Sequence, residues 1–317
     1  MKSSQFSKNK QRQVLRWLGT ILAFVLLVYL VRQQGFDEIR SAFKEISITQ
    51  TFLALILIFI SRFAVVCRWH VLLRSIDKVN FSQTLRITFA GLFATNFLPT
   101  TVGGDVVRLA GAVQMKINGP FAAASLIVDR LVGMLGMVCA LPFGAIPLVN
   151  WFESSNSGLV FTNLVASFAW LERIRDRILL VIKKMVEAIK IWLKHPKSLL
   201  FSYLFTILHM TCLFLAITIL LDDLGERLPF FLIAGLWSFV YFVTLIPVSI
   251  NGYGVQELSI AFIFSEVGGI SLQSGITISI LLRLMMIIGS LPGSLFLPGI
   301  FAGEESSPQN PNEKVEV

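Results

Sequence analysis

Two stretches decide how this chain is to be read: T-N-F-L-P-T-T-V-G-G-D-V-V-R, from Thr95 to Arg108, and T-L-I-P-V-S-I-N-G-Y-G-V-Q-E, from Thr244 to Glu257. Each begins at the end of an apolar run, holds a proline, then a hydroxyl and glycines, and ends at a charge. Setting Pro99 on Pro247 puts Gly104 on Gly252 and Arg108 on Gln256, one residue before Glu257. Proline removes a backbone donor and glycine relaxes the helical backbone, so both stretches read as helix breaks.

What surrounds the breaks is too apolar for water. Of 317 residues, 55% are hydrophobic and 15% charged, with a mean hydropathy of +0.75. A soluble domain carries about 25% charged residues and roughly 45–50% apolar ones. The chain is therefore expected to be an all-α integral membrane protein, a polytopic helical bundle. Its net charge of +8 is read as a topology signal, which excludes a nucleic-acid partner. Cys67, Cys139 and Cys212 each stand singly in apolar runs, so neither a disulfide framework nor a zinc site is expected. His70, His195 and His209 lack metal-binding spacing, and no P-loop, dinucleotide fingerprint or nucleophile elbow occurs. No metal or cofactor is expected.

Lys2, Lys8, Lys10, Arg12 and Arg16 form a basic N-terminal segment, 1–16, that precedes an apolar run from Trp17 to Val31. No small-x-small cleavage site follows, so an uncleaved anchor with a cytoplasmic N-terminus is expected. Gly35 to Ile48 reads as a short interfacial helix. Further spans are predicted at Thr51–Val66, Leu131–Val149, Leu199–Leu221, Pro229–Val248 and Ile276–Leu297, with a shorter run at Ile87–Leu98. Arg68, Arg74, Lys78 and Arg86 are read as the cytoplasmic charges after Val66. Leu159 to Trp170 offers only roughly 18 Å of helix against a core of roughly 30 Å. Residues 171–197 are basic, with apolar positions every three or four residues, and predict an amphipathic linker helix. The transmembrane domain is thus placed at 17–300, with halves at about 51–149 and 199–298. A polar tail, 301–317, is expected to be disordered, with a cytoplasmic C-terminus.

Helices end inside a bilayer only where the freed backbone groups are buried in protein or line a wet cavity. Basic residues flank the first break, whereas no Lys or Arg lies between Leu228 and Leu282 around the second. The two breaks are therefore expected to be re-entrant hairpins entering from opposite sides, in an inverted repeat of the kind transporters use. Simple pore loops or packing kinks are the competing reading.

At these residues the chain resembles the lysylphosphatidylglycerol synthase and flippase family, the MprF-type membrane domain. The resemblance is carried by N-F-L-P-T-T-V-G-G-D-V-V-R (Asn96–Arg108), Asp129-Arg130, I-P-V-S-I-N-G-Y-G-V-Q-E (Ile246–Glu257) and Arg68-Trp69. Bifunctional members carry a soluble domain that transfers an amino acid from charged tRNA to phosphatidylglycerol. With about 15 polar residues after the last span, the resemblance implies a stand-alone membrane half without that domain. It implies lipid translocation in the cytoplasmic membrane, or a service to a separate lipid- or glycan-modifying enzyme.

The residues expected to contact substrate are Gly103, Gly104, Asp105, Arg108, Asp129, Arg130, Asn251, Glu257 and Arg283. Arg108 suits phosphate because guanidinium meets it in bidentate fashion. Asp105 and Arg108, three apart, share a helix face, and Asp105 equally suits a helix cap. Gly103 and Gly104 permit close approach to a headgroup or a tight turn. Arg283 lies too deep in the last span to snorkel easily, and Glu257 is its nearest candidate partner. Asp129-Arg130 is expected to form a local or cross-hairpin pair at the cytoplasmic rim. Arg62 is read as snorkelling from four residues inside its span.

The function expected is a lipid flippase-like transporter rather than an enzyme. Its substrate is a membrane phospholipid, anionic or aminoacylated, or a polyprenyl-linked lipid. A non-transporting scaffold and a membrane-embedded transferase using Asp37-Glu38 are the alternatives, and a homodimer is compatible with the sequence.

Overall fold

The computed structural model describes residues 46–75, 78–96, 98, 103–154, 189–246, 252–297 and 300. The predicted N-terminal anchor, the 159–170 run, most of the interfacial and linker helices, Asn251 and the polar tail lie outside the described residues. Among the described residues every regular element is helical. They run α1 (Ile48–Arg74), α2 (Phe81–Thr95), α3 (Gly103–Gln114), α4 (Gly119–Ala140) and α5 (Pro142–Ser154). Then come α6 (Pro196–Asp223), α7 (Phe230–Thr244), α8 (Val255–Glu266) and α9 (Leu272–Ser290), which continues as a 3-10 turn, Leu291–Leu295. Four of these are long and apolar enough to cross a membrane: α1, α4, α6 and α9 with its turn.

α1 and α6 form an antiparallel pair pinned at both ends. Ser47 accepts from the Thr49 N–H (3.3 Å) to start α1, and its own N–H donates to Asp223 at the end of α6 (2.5 Å). At the opposite end the Ser198 hydroxyl donates to the Val71 carbonyl (2.8 Å) and the Trp192 indole to that of Leu72 (3.1 Å). α4 starts at Asn118, which accepts from the Phe121 N–H, with Pro120 in its first turn. α9 starts at Ser271, which accepts from Ser274 and donates its N–H to Glu226.

The outward faces of this pair are apolar: Phe52, Ile56, Ile60 and Phe63 on α1, Leu200, Phe201, Leu204 and Ile207 on α6. Inside lie Ser61, Ser125, Ser202, Thr206, Thr277 and Ser279, together with charges. An apolar exterior of this extent around a polar interior is the arrangement hydrocarbon selects, not water.

The short helices fold back on their neighbours. α2 lies antiparallel to α3, Gly91 against Gly104 and Ile87 against Gly111. A Cβ on Gly104 would come within 2.0 Å of Thr95 Oγ1 and 2.5 Å of the Gly91 carbonyl oxygen. α7 and α8 pack on each other likewise, and the turn before α8 uses Gly252 (φ +71°) and Gly254 (φ +77°), a backbone region that excludes most side chains. Helix lengths recur along the chain: 27, 15, 12 and 22 residues for α1 to α4, and 28, 15, 12 and 19 for α6 to α9.

Two expected spans are corrected. α1 continues past Val66 to Arg74, so Arg68 is buried within the helix instead of marking its far end. The expected Leu131–Val149 span is two helices, because α4 already begins at Gly119 and ends at Ala140, and Pro142 opens α5. In both places a charge read as an end of a span lies inside one, compensated by contacts across the fold.

α5 crosses α7 at Gly144 and Gly235, where a Cβ on Gly235 would stand 2.1 Å from the Gly144 nitrogen. Gly235→Ala is expected to lose about 1–3 kcal/mol to overpacking, read as a fall in thermal midpoint. Gly119→Ala, whose Cβ meets nothing nearer than Val113 at 3.4 Å, is the matched control. The α6–α7 connection carries a pH response. Burial raises the Glu226 carboxyl, but hydrogen bonds from Ser271 and Ser274 outweigh it and hold the group below its ordinary range. A lowered folded pKa stabilises above the unfolded value of about 4.3 and is lost as pH falls through the folded one. Glu226→Gln should therefore lower the midpoint at neutral pH and flatten the acid limb of the midpoint-against-pH curve, the two proteins converging as the pH falls.

Candidate functional site

α1, α3 and α4 meet where adjacent residues on one helix reach residues one turn apart on another. Arg68 and Trp69 are neighbours on α1, and Ser125 and Asp129 are i,i+4 partners on α4, sharing a face. Trp69 Nε1 donates to Ser125 Oγ (3.0 Å). Arg68 forks onto Asp129, Nε to Oδ1 (2.7 Å) and Nη2 to Oδ2 (3.1 Å). Gly133 leaves room for this fork, since a Cβ there would stand 2.9 Å from Arg68 Nη1. From α3, Arg108 donates through both Nη atoms to Asp129 Oδ2 at 3.1 Å. The same guanidinium bonds Asp105 one turn back (3.1 Å), and Asp105 in turn accepts from Arg130. Trp69 covers Arg108, its ring centroid 4.2 Å from the guanidinium carbon.

Side-chain exposures of 1% for Asp129, 8% for Arg108 and 11% for Arg68 leave almost no water to share the charge. The carboxylate must therefore be balanced by protein groups, and two guanidiniums achieve this. The cluster holds three arginines and two aspartates, an excess of one positive charge.

A second ion pair stands across the fold. Glu257, in the first turn of α8, accepts the Gly254 N–H (2.7 Å) with one oxygen and Arg283 Nε of α9 with the other. Tyr253 covers Arg283 with its ring centroid 4.6 Å away. The Tyr253 hydroxyl donates to the Asn96 carbonyl (3.0 Å), and Asn96 Nδ2 donates to Ser290 Oγ (2.8 Å). The two sequence breaks thus touch through Tyr253 and Asn96. The arginines covered by Trp69 and Tyr253 each keep a buried nitrogen without an acceptor, Nε of Arg108 and Nη2 of Arg283.

The Glu257–Arg283 and Asp105–Arg108 pairs stand where the sequence predicts them. Of the two pairings expected for Asp129-Arg130, the cross-hairpin one is found and the local one is not, and Asp129 is buried instead of standing at the rim. Asp129 is central in α4, and the two residues face different partners, Asp129 the arginines of α1 and α3 and Arg130 the Asp105 carboxylate. Arg283 is the twelfth residue of α9 and Arg62 the fifteenth of α1, both deeper than expected, because α9 starts before its apolar run and α1 continues past its own to Arg74. The missing Cβ atoms of Gly103 and Gly104 make room for Leu98 and Thr95. His209 is a packing residue, its Nδ1 2.6 Å from the Ser61 hydroxyl. Among the described residues no three His, Cys, Asp or Glu side chains could hold a metal ion.

Sequence reading misses Arg68 as a site residue, along with the roles of Trp69, Tyr253 and Asn96. For Arg68 the signal was present: Val71, Leu72 and Leu73 continue the apolar pattern beyond it.

The family model described as the lysylphosphatidylglycerol synthase TM region matches residues 16–293. A UPF0104 membrane protein of Archaeoglobus fulgidus is 21% identical over 223 residues, covering 60% of this chain and 67% of that protein.

Removing the shared carboxylate while keeping its shape tests the cluster. Asp129→Asn leaves Arg68 and Arg108 buried against one another and is expected to cost about 3–5 kcal/mol, a large drop in thermal midpoint in detergent.

Proposed function

This chain belongs to the lysylphosphatidylglycerol synthase transmembrane family, and from that footing we propose that it is a lipid flippase-like transporter of the cytoplasmic membrane. It carries the phosphate-bearing headgroup of an anionic, aminoacylated or polyprenyl-linked lipid between leaflets. The observation that carries this reading is the pair of buried, aromatic-covered arginines, Arg108 and Arg283, each with an unused N–H donor, on either side of the place where the two helix breaks meet. A phosphate in hydrocarbon needs convergent donors that are already desolvated and held in place, and guanidinium supplies them in matching geometry.

In this mechanism the carboxylates are the resting counter-ions. Asp129 and Asp105 hold Arg108, and Glu257 holds Arg283, so that neither guanidinium is stranded when no lipid is bound. An arriving phosphate accepts the free N–H groups first and then competes for those shared with the carboxylates. Because Arg68 stays on Asp129 throughout, the acid remains balanced while Arg108 turns to the substrate. The acyl chains remain in the bilayer and the headgroup alone crosses.

Two observations support a re-entrant, inverted arrangement. The order of helix lengths repeats, and the first folded-back pair opens toward the Arg74 end of α1 while the second opens toward its Ser47 end, near Asp223 and Glu226. Such halves present a site near the midplane, and rocking one against the other exposes it to alternate sides. With both termini cytoplasmic, the α2–α3 pair faces the cytoplasm and the α7–α8 pair the outside.

Headgroup movement in proteoliposomes loaded with fluorescent phosphatidylglycerol tests this. The wild type is expected to move it, and Arg108→Gln to slow it about tenfold or more, the loss of a charge-assisted hydrogen bond at the transferred group. Arg108→Gln leaves Asp129 with Arg68, so the variant should stay folded. A well-folded wild type that moves no anionic, aminoacylated or polyprenyl-linked lipid would turn the assignment to a scaffold or transferase role.

A further inference from the structure

Where α1 ends at Arg74, a cavity of about 530 Å³ opens, bordered by His70, Arg74, Ser75, Lys78, Asn80 and Phe81. None of these residues belongs to either ion cluster. The volume is that of a small-molecule site, about 300–1,000 Å³. Its described lining residues include two cations, a histidine and no acid. Arg74 is exposed, and among the described residues no carboxylate pairs with it. The His70 ring is set in place by its Nδ1, 3.1 Å from the Thr84 hydroxyl of α2.

A helix C-terminus ordinarily presents bare carbonyls, which repel an anion. Here those nearest the cavity are occupied. The Val71 carbonyl accepts from the Ser198 hydroxyl (2.8 Å), and that of Leu72 from the Ser75 hydroxyl (2.7 Å) and the Trp192 indole (3.1 Å). α2 begins at Phe81, on the cavity's border, so the positive end of its backbone dipole adds to Arg74 and Lys78. Basic residues at the end of a span serve topology without any cavity between them. A cavity that gathers them can hold an anion.

The apolar side of the cavity decides which anion. The Phe81 ring stands edge-on to His70 (5.2 Å between centroids) and also to Phe63 (5.6 Å). From Phe63 an exposed apolar stripe, Ile60, Ile56 and Phe52, continues along the outward face of α1. A free phosphate would use the basic pocket and ignore this stripe. A molecule with a phosphate at one end and acyl chains at the other uses both.

We propose that this cavity binds an anionic phospholipid of the surrounding membrane, its phosphate at Arg74 and Lys78 and an acyl chain along Phe81 and Phe63. The bound lipid braces the start of α2 against α1. The site is separate from Arg108 and Arg283, and the proposal does not rest on the transporter reading.

The test is binding to the full chain in detergent, read as ligand-dependent thermal midpoint and as adduct retention in native mass spectrometry. The probes are dioctanoyl phosphatidylglycerol, dioctanoyl phosphatidylcholine and inorganic phosphate. Phosphatidylglycerol should bind the wild type more tightly than either of the others. Replacing Arg74 and Lys78 together by Gln should weaken its binding about tenfold or more. Both side chains are exposed, so this variant should keep the wild-type midpoint without ligand. Phe81→Ala should weaken phosphatidylglycerol binding and leave that of phosphate unchanged. Arg86→Gln, which removes an exposed charge of α2 outside the cavity, should bind as the wild type does. The part of the binding that depends on Arg74 should survive in Arg108→Gln.

Unchanged binding in the Arg74→Gln, Lys78→Gln double variant would overturn the site. Equal weakening by Arg86→Gln would reduce it to diffuse attraction between a basic surface and an anionic lipid. Loss of the Arg74-dependent part in Arg108→Gln would move the lipid to the central cluster. Phosphate binding as tight as that of phosphatidylglycerol, with Phe81→Ala without effect on either, would overturn the lipid as occupant.

Discussion

A carboxylate placed among hydrocarbon-facing helices must be neutralised by protein, and Asp129 is where this chain meets that requirement. Its two oxygens take a fork from Arg68 and both Nη groups of Arg108, so three helices that are distant in sequence are bound to one buried atom group. The consequences extend outward. Gly133 is needed to admit the Arg68 fork, Ser125 to hold the Trp69 indole, and Trp69 to roof Arg108. Buried ion pairs contribute little net stability against an apolar core, but they tolerate no partial loss. That asymmetry makes the cluster a device for fixing geometry and holding charge in reserve.

The same physics organises the second half on a smaller scale. Glu257 starts its helix by accepting the Gly254 N–H and spends its other oxygen on Arg283, with Tyr253 as the aromatic cover. Each half thus sets an arginine against an aromatic face and a carboxylate beside a broken helix. Close crossings of glycine on glycine, Gly91 with Gly104 and Gly144 with Gly235, let backbones approach where a membrane protein has no hydrophobic effect to press its helices together. The short helices are held by these contacts.

Much of this was legible from sequence because it depends on composition and on local chemistry. The apolar content places the chain in a membrane, and the Pro-Gly breaks end helices where prolines and glycines demand it. Asp105 and Arg108 pair because helical spacing puts them on one face. Arg283 finds Glu257 because the other acids of its half, Asp222, Asp223, Glu226 and Glu266, stand at helix ends or between helices. Family membership followed from the same breaks together with Arg68-Trp69 and Asp129-Arg130.

Span boundaries and partner choice were not legible, for one reason. A charge in a sequence looks like the end of a hydrophobic run, and whether it lies at a membrane surface or in the interior depends on an opposite charge tens of residues away. Arg68 and Asp129 are 61 positions apart and form one fork, and so a span expected to stop at Val66 runs to Arg74. Arg62 is the converse case: its depth follows once α1 is extended, and among the described residues no carboxylate pairs with it, which only the packing around it shows. The sequence by itself determined that this is a helical membrane protein with two interrupted helices and charged residues at the breaks. The tertiary structure alone decided which charges cancel and which are left over, because Coulomb energy in a low-dielectric interior is set by distances between helices, and those distances are a property of packing.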